Sequence, residues 1–98
     1  GLASRSGDDL GIPDAVAMPT DVRDPEAIRR LVDATAERHG GVDIAVINAG
    51  VGSYGPFLDI PFEEMEEIID VNVKGALYSI RAALPYLLES DAADLVML

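Results

Sequence analysis

The residues with the clearest chemical potential lie where an apolar stretch ends, at Asn48-Ala49-Gly50. Asn can hydrogen-bond to its own backbone, and Gly allows a positive φ and the close approach of another molecule. The preceding residues, 42–47, are almost all apolar, which is typical of a parallel strand buried on both faces. Ligands of open α/β sheets bind at the carboxyl ends of such strands. The triplet therefore predicts either an ordinary turn or a ligand site.

A second candidate is Asn72, which falls within an apolar stripe of a predicted helix. An amide that is buried without partners costs about 1–3 kcal/mol, so we expect Asn72 to be hydrogen-bonded, in either a structural or a functional role. The acidic run at residues 63–67 suits a helix N-terminus and has no histidine beside it, so we predict no metal site. At about 100° per residue, the stripe comprises Met65, Ile68, Ile69, Asn72, Ala76, Ala83 and Leu87.

Composition excludes several classes of function. The 98 residues contain no cysteine, so disulfides, zinc–thiolate sites and thiol nucleophiles are excluded. A net charge of −11 argues against nucleic acid or an anionic membrane as a partner. No apolar run approaches the length of a membrane span, and we expect a soluble, cytoplasmic protein.

The elements that would position these residues alternate between strand and helix. We predict strands at residues 1–4, 15–18, 42–47 and 95–98, and helices from Asp24-Pro25 to Gly40 and from about residue 62 to 88. His39 is expected to complement the dipole at the end of the first helix, and Pro85 to bend the second. The order indicates a doubly wound parallel sheet with right-handed crossovers.

Four features in this order resemble the short-chain dehydrogenase/reductase family. They are Asp21-Val22 after a strand, Asn48-Ala49-Gly50 after the next, the helical segment around Asn72, and the final strand. The resemblance implies a Rossmann-like sheet with a nicotinamide cofactor across its carboxyl edge. Asp21 would then bind the adenine amino group, Val22 would lie at the ring edge, Asn48, Ala49 and Gly50 would line the adenosine ribose, and Asn72 would be the catalytic Asn of the proton relay.

The position before Arg5 carries an acid in NAD-preferring family members, and here it is Ser4. An acid would repel a 2′-phosphate, whereas Arg beside a small polar residue can pair with one. We therefore expect a preference for NADP over NAD, with a solvated Arg5 as the alternative. The loop that follows Gly50 carries Tyr54 and Phe57, which would either line a substrate pocket or pin the loop to the domain.

Several parts of the family pattern are absent from residues 1–98. The Gly-rich phosphate turn, the catalytic Ser and the Tyr-x-x-x-Lys pair are missing, and none of Tyr54, Tyr78 and Tyr86 is followed by Lys four residues later. We therefore expect residues 1–98 to be the central part of a single NAD(P)-binding domain, inactive alone. The family's first strand would lie between residues 1–18 and residues 42–47, so its absence would leave strand edges unpaired and prevent stable folding as a monomer.

The leading hypothesis is an NAD(P)-dependent oxidoreductase that interconverts a small-molecule alcohol and carbonyl. The alternative is a non-catalytic dinucleotide-binding or scaffold protein with the same fold. The resemblance also implies a homodimer or homotetramer through the helix at residues 62–88.

Overall fold

The computed structural model describes residues 1–98 as four short strands and three α-helices. A 3₁₀ turn, Phe57–Asp59, precedes the helix at Phe62–Ile69, and a π-helical segment, Asp70–Gly75, joins that helix to the one at Ala76–Glu89 without a break. The predicted order of strands and helices is confirmed. The strands are β1 (Leu2–Ser4), β2 (Ala17–Pro19), β3 (Ile44–Ile47) and β4 (Asp94–Met97), and the helices are α1 (Pro25–His39), α2 (Phe62–Ile69) and α3 (Ala76–Glu89).

Helix α1 begins and ends where its sequence predicts. The Asp24 carboxylate accepts a hydrogen bond of 2.9 Å from the backbone N–H of Glu26, and Pro25 takes the first helical position, where its missing N–H costs nothing. At the other end, Gly40 has φ of 82° and donates its N–H to the carbonyl of Ala36. A residue with a side chain would be strained there, so Gly40 ends the helix. His39 lies in the last turn, as predicted.

The strands form two separate parallel pairs. Leu2 aligns with Ala17 in the β1–β2 pair, and Ile44 aligns with Asp94 in the β3–β4 pair. The predicted separation of the first two strands from β3 is therefore confirmed. A cleft of about 550 Å³ lies between β1 and β3, and most of its lining is apolar. The facing edges of the two pairs have no strand between them in these residues.

One face of β3 and all of β4, which were predicted to be buried, are exposed. Ile44 and Val46 in β3 are 61% and 56% exposed, and every residue of β4 is exposed. The sequence pattern of β3 suits a strand covered on both faces, but in these residues α3 covers only one face. The core instead lies mainly between α1 and the helical segment 71–87, and its apolar members are Ala27, Ile28, Leu31, Ala36, Val71, Ala83 and Leu87.

The predicted helix at residues 62–88 is continuous, but its predicted buried face is partly wrong. Ala83 and Leu87 are buried as expected, whereas Ile69 and Asn72 are exposed and Val71 is buried. The π-helical segment accounts for the exchange between Val71 and Asn72, because a wider turn changes the rotation per residue on which the helical projection depends. Ile69 lies before this segment. Pro85 lies within α3, and no helix is both long and apolar enough to cross a membrane.

Candidate functional site

The candidate residues gather at the carboxyl ends of three strands. Arg5 directly follows β1, Asp21 lies just beyond β2, and Asn48 directly follows β3. Arg5 and Asp21 lie at the same end of the first pair because its strands run parallel. The helical segment that contacts Val22 after β2 also contacts Val51 after β3, so the ends of β2 and β3 lie near each other. Asn48, Ala49 and Gly50 are all exposed there. The predicted location of the turn directly after β3 is therefore confirmed.

Asp21 is held by Arg23, which the sequence reasoning did not single out. The backbone N–H of Arg23 donates to Asp21 Oδ1 at 2.9 Å, and its guanidinium donates from Nε to both carboxylate oxygens and from Nη2 to Oδ2 at 2.6 Å. These hydrogen bonds hold the pKa of Asp21 at about 2, below its ordinary value of 3.8. The carboxylate is therefore ionised at neutral pH. The sequence signal that could have indicated this pair is an Arg placed two residues after an Asp.

Arg5 belongs to the same electrostatic environment as Asp21. Its positive charge also lowers the pKa of Asp21, though less than the contacts with Arg23 do. The Arg5 side chain is exposed and forms no ion pair in the structure. Ser4, at the position before it, uses its Oγ to accept the backbone N–H of Gly7 at 3.0 Å. The Arg5 guanidinium therefore has no ion-pair partner, and the position before it is Ser4 rather than an acid.

Asn72 reaches the turn from the helical layer. Its Oδ1 accepts the backbone N–H of Val51, and its Nδ2 donates to the carbonyl of Val51, both at 2.8 Å. The expectation that Asn72 needs partners is confirmed, but the amide is exposed rather than buried. A Cβ at Gly50 would lie 3.5 Å from Asn72 Oδ1, an ordinary contact distance. The structure thus joins the turn at residues 48–50 to the helix that follows it.

Gly75 brings the Asp21 turn against the same helical segment. A Cβ placed at Gly75 would lie 2.7 Å from Val22 Cγ2 and 3.3 Å from the Val22 carbonyl oxygen. Only glycine allows this approach without a shift of the neighbouring backbone. Gly75 lies three residues after Asn72, so one helical segment contacts both turns. Sequence reasoning missed Gly75, because a glycine inside a helix does not by itself reveal what packs against it.

The loop after Gly50 is held by a polar contact rather than by its aromatic residues. Tyr54 and Phe57 are 97% and 73% exposed, so they neither line a pocket nor pin the loop in this structure. The Ser53 hydroxyl instead donates to the Glu64 carboxylate on α2. The cleft between β1 and β3 is also not a site for a charged ligand, since strand edges and aliphatic side chains line most of it. The polar candidates lie at its rim.

A family model and several curated proteins match the sequence of this chain. A family model described as enoyl-(acyl carrier protein) reductase matches residues 3–98. An uncharacterized oxidoreductase of Staphylococcus aureus is 37% identical over 79 residues, which cover 81% of this chain and 34% of the relative. The chain thus spans about a third of the length of the curated relatives it matches.

Solved structures share the fold. A short-chain type dehydrogenase/reductase from Mycobacterium marinum superposes with a TM-score of 0.83 at 30% identity, covering 97% of this chain and 41% of that protein. Carveol dehydrogenase from Mycobacterium avium, solved with NAD, superposes with a TM-score of 0.74 at 34% identity, covering 82% of this chain and 30% of that protein. An alcohol dehydrogenase from Thermococcus sibiricus, solved with 5-hydroxy-NADP, superposes with a TM-score of 0.68 at 32% identity, covering 76% of this chain and 32% of that protein.

Proposed function

Because this chain belongs to the short-chain dehydrogenase/reductase family, we propose that residues 1–98 are the central part of a single NAD(P)-binding Rossmann-like domain. The whole protein would transfer hydride between a nicotinamide cofactor and an alcohol or carbonyl of a small molecule. One observation carries the proposal: the helical segment around Asn72 contacts both turns at the carboxyl edge, through Val51 and Val22. That edge is where dinucleotides bind in open α/β sheets.

The residues present fit the adenosine half of such a cofactor. Asn48, Ala49 and Gly50 form an exposed turn with small side chains at its end, so a sugar ring can approach the backbone. Asp21 is ionised and can accept a hydrogen bond from an adenine amino group. The nicotinamide ring, when bound, would supply the hydride at its C4 position. The residues of this chain would bind and orient the cofactor.

Asn72 is proposed as the catalytic Asn that the family resemblance implies. Its side chain is occupied by Val51, which supports a role in holding the turn and the helix in register. The backbone of the π-helical segment around it is then the part available to a water molecule of a proton relay. A Tyr activated by a neighbouring Lys would complete the acid–base chemistry, and residues 1–98 contain no such pair.

We propose NADP as the preferred cofactor. Arg5 is exposed, has no ion-pair partner and follows Ser4 rather than an acid, so its guanidinium can pair with a 2′-phosphate. The two solved relatives described above contain NAD in one case and 5-hydroxy-NADP in the other, which supports a nicotinamide cofactor of either kind. The preference therefore depends on Arg5.

The test is a binding titration of NADPH and NADH against the full-length protein and its Arg5→Ala variant. We expect Arg5→Ala to weaken NADPH binding by about tenfold or more, as for the loss of a charge-assisted contact, and to leave NADH binding nearly unchanged. Arg30→Ala is the matched control, because Arg30 is exposed on α1 and forms no ion pair. Equal loss for both cofactors, or no loss, would refute the NADP assignment.

The alternative is a dinucleotide-binding or scaffold protein without catalysis. Such a protein would keep the fold and the cofactor-binding turns described above but would not turn over a substrate. Turnover separates the two functions. Oxidation of NADPH with a panel of aldehydes and ketones supports the enzyme, whereas tight cofactor binding without turnover supports the binding module.

We further propose that α2 and α3 meet a second copy of the protein. An apolar row on the outer side of this helix is exposed, and its members are Ile69, Val73, Leu77, Leu84 and Leu88. Leu77, Leu84 and Leu88 are spaced by seven and four residues, which places them along one side of α3, and Ile69 and Val73 extend the exposed apolar surface toward α2. Light scattering of the full-length protein should give a dimer or tetramer mass, and Leu77→Glu should lower it. A protomer mass for the unmodified protein would contradict the proposal.

A further inference from the structure

Most of the acceptor capacity of the Asp21 carboxylate is taken up by Arg23 in the structure. A carboxylate offers about four lone-pair positions. Three N–H donors of Arg23 lie 2.6–3.1 Å from its oxygens: the backbone N–H bonds to Oδ1, Nη2–H bonds to Oδ2, and the single Nε–H is shared between the two. An incoming adenine amino group would need one of these positions. The guanidinium and the base therefore compete for the same oxygen atoms.

The backbone contact keeps Asp21 in place without the guanidinium. The N–H of Arg23 bonds to Oδ1 across two residues, and Asp24 N–H bonds to the Asp21 carbonyl at 2.9 Å, which closes the turn. Such a turn forms with any residue except proline at position 23. The guanidinium is thus not needed to orient Asp21. Its main effect is to occupy Oδ2, where Nη2 lies at 2.6 Å.

Two other carboxylates lie near the Arg23 guanidinium and could replace Asp21 as its ion-pair partner. The carboxylates of Glu67 and Asp70 are close enough to raise the pKa of Arg23, after the larger effect of Asp21. Asp70 is already paired with Lys74 at 2.7 Å, whereas Glu67 forms no ion pair. The Arg23–Asp21 pair is itself about 40% exposed on both sides, with values of 43% and 38%. Exposed ion pairs contribute little free energy, so the guanidinium can exchange one carboxylate partner for another with a small change in free energy.

We propose that Arg23 is a specificity-determining residue of the cofactor site: its guanidinium bonds to both oxygens of Asp21 in the free protein and competes with an adenine amino group, which binds better after the guanidinium has released Asp21. The inference rests on the proposed function, because it takes Asp21 as the partner of the adenine amino group. It goes further in assigning to Arg23 a competing role that lowers affinity for adenine. A purine that carries an oxygen in place of the amino group gains nothing from this release, and can accept from the guanidinium instead.

The experiment compares two cofactors in the full-length protein: NADPH and its hypoxanthine analogue, which has a carbonyl in place of the adenine amino group. The measured quantity is the ratio of their dissociation constants by fluorescence titration. We expect Arg23→Ala to raise the preference for NADPH over the analogue by about two- to fivefold, the size expected for loss of an exposed ion pair. Arg23→Lys should give a smaller rise, since an ammonium group cannot span both oxygens.

Arg29→Ala is the matched control, because Arg29 is an exposed arginine with two acidic partners on α1, Glu26 and Asp33. It should leave the ratio unchanged. A ratio that is unchanged or lower in Arg23→Ala would overturn the proposal, even if both cofactors bind more weakly. If the unmodified protein binds neither dinucleotide, the proposed function itself fails, and that result is distinct from a normal affinity with an unchanged ratio.

Discussion

The side-chain amide of Asn72 and the backbone of Val51 form a closed pair of hydrogen bonds, each 2.8 Å long. One amide thereby satisfies both the N–H and the carbonyl of the residue that follows the turn at residues 48–50. The contact links positions 21 residues apart in the chain. It gives the turn a fixed position relative to α2 and α3, which is what a cofactor site needs from its supporting elements.

Replacing Asn72 by Ala should remove both hydrogen bonds and lower the free energy of unfolding by about 1–2 kcal/mol. If the protein is an oxidoreductase, kcat should fall by about 100-fold, because a loosened turn misplaces the cofactor. Chemical denaturation and steady-state kinetics measure the two effects. For stability, Asn48→Ala is the control, since the Asn48 side chain forms no hydrogen bond within the chain. Equal stability losses for the two variants would contradict the contact.

Gly75→Ala should destabilise the protein because the new methyl group would meet Val22 Cγ2 at 2.7 Å. Overpacking of this kind costs about 1–3 kcal/mol. Gly52→Ala is the control, because a Cβ at Gly52 would meet nothing within 4 Å and its φ is not positive. Adding Val22→Ala to Gly75→Ala should recover part of the loss. If Gly75→Ala and Gly52→Ala melt alike, the close approach of Val22 is not present in solution.

Tyr86→Phe should weaken the attachment of α3 to α1. The Tyr86 hydroxyl donates to Asp33 Oδ1 at 2.8 Å, and its loss should lower the free energy of unfolding. This hydrogen bond raises the pKa of Tyr86 above 10.0, so its contribution is complete below pH 10 and is lost as the pH rises through the raised value. Denaturation of the variant and of Tyr54→Phe, whose ring is fully solvated, measures the effect. Equal stabilities would contradict it.

The pKa of Asp21 should respond to Arg23. It is about 2 in the folded protein and should rise toward the ordinary 3.8 in Arg23→Ala. Because the folded value is lowered, the stabilisation is present above pH 3.8 and is lost as the pH falls toward 2. Carbon-13 NMR titration of the Asp21 carboxyl group reports the value directly. A pKa that stays near 2 in the variant would show that the Arg23 guanidinium is not its main cause, since the backbone N–H of residue 23 is retained.

The isolated chain of 98 residues should not unfold cooperatively. Only nine residues are buried, and the two strand pairs have facing edges without partners. So small a core cannot offset the conformational entropy of ordering the chain. Circular dichroism at low concentration should show a gradual loss of helix on heating. A sharp, concentration-independent transition would contradict this expectation.

Local signals explain why much of the fold could be predicted. The caps of α1 depend on Asp24, Pro25 and Gly40, whose effects reach only a few residues, so its bounds followed from the sequence. The turn after β3 was recognisable from the types of its residues, although the Asn48 side chain forms no hydrogen bond within the chain and Gly50 does not adopt a positive φ. The roles given to Arg5, Asp21, Asn48 and Asn72 come from the family resemblance, and as cofactor contacts they stay predictions.

Other features depend on distant partners and could not be predicted in the same way. The exposure of β3 and β4 depends on which helices cover them, and hydropathy alone assumes that both faces are covered. The π-helical segment changed which residues of the second helix are buried, and a fixed angle per residue cannot represent it.

The sequence by itself determined the order of strands and helices, the ends of α1, the turn at Asn48-Ala49-Gly50 and membership of a family, because these depend on neighbouring residues or on a linear pattern. Only the tertiary structure decided that the Asn72 amide binds the Val51 backbone and that Gly75 lies against Val22. The same is true of the hydrogen bonds from the Arg23 guanidinium to the Asp21 carboxylate. The first two contacts join separate elements, and the third depends on the rotamer of one exposed side chain. Such contacts exist only once the chain is folded.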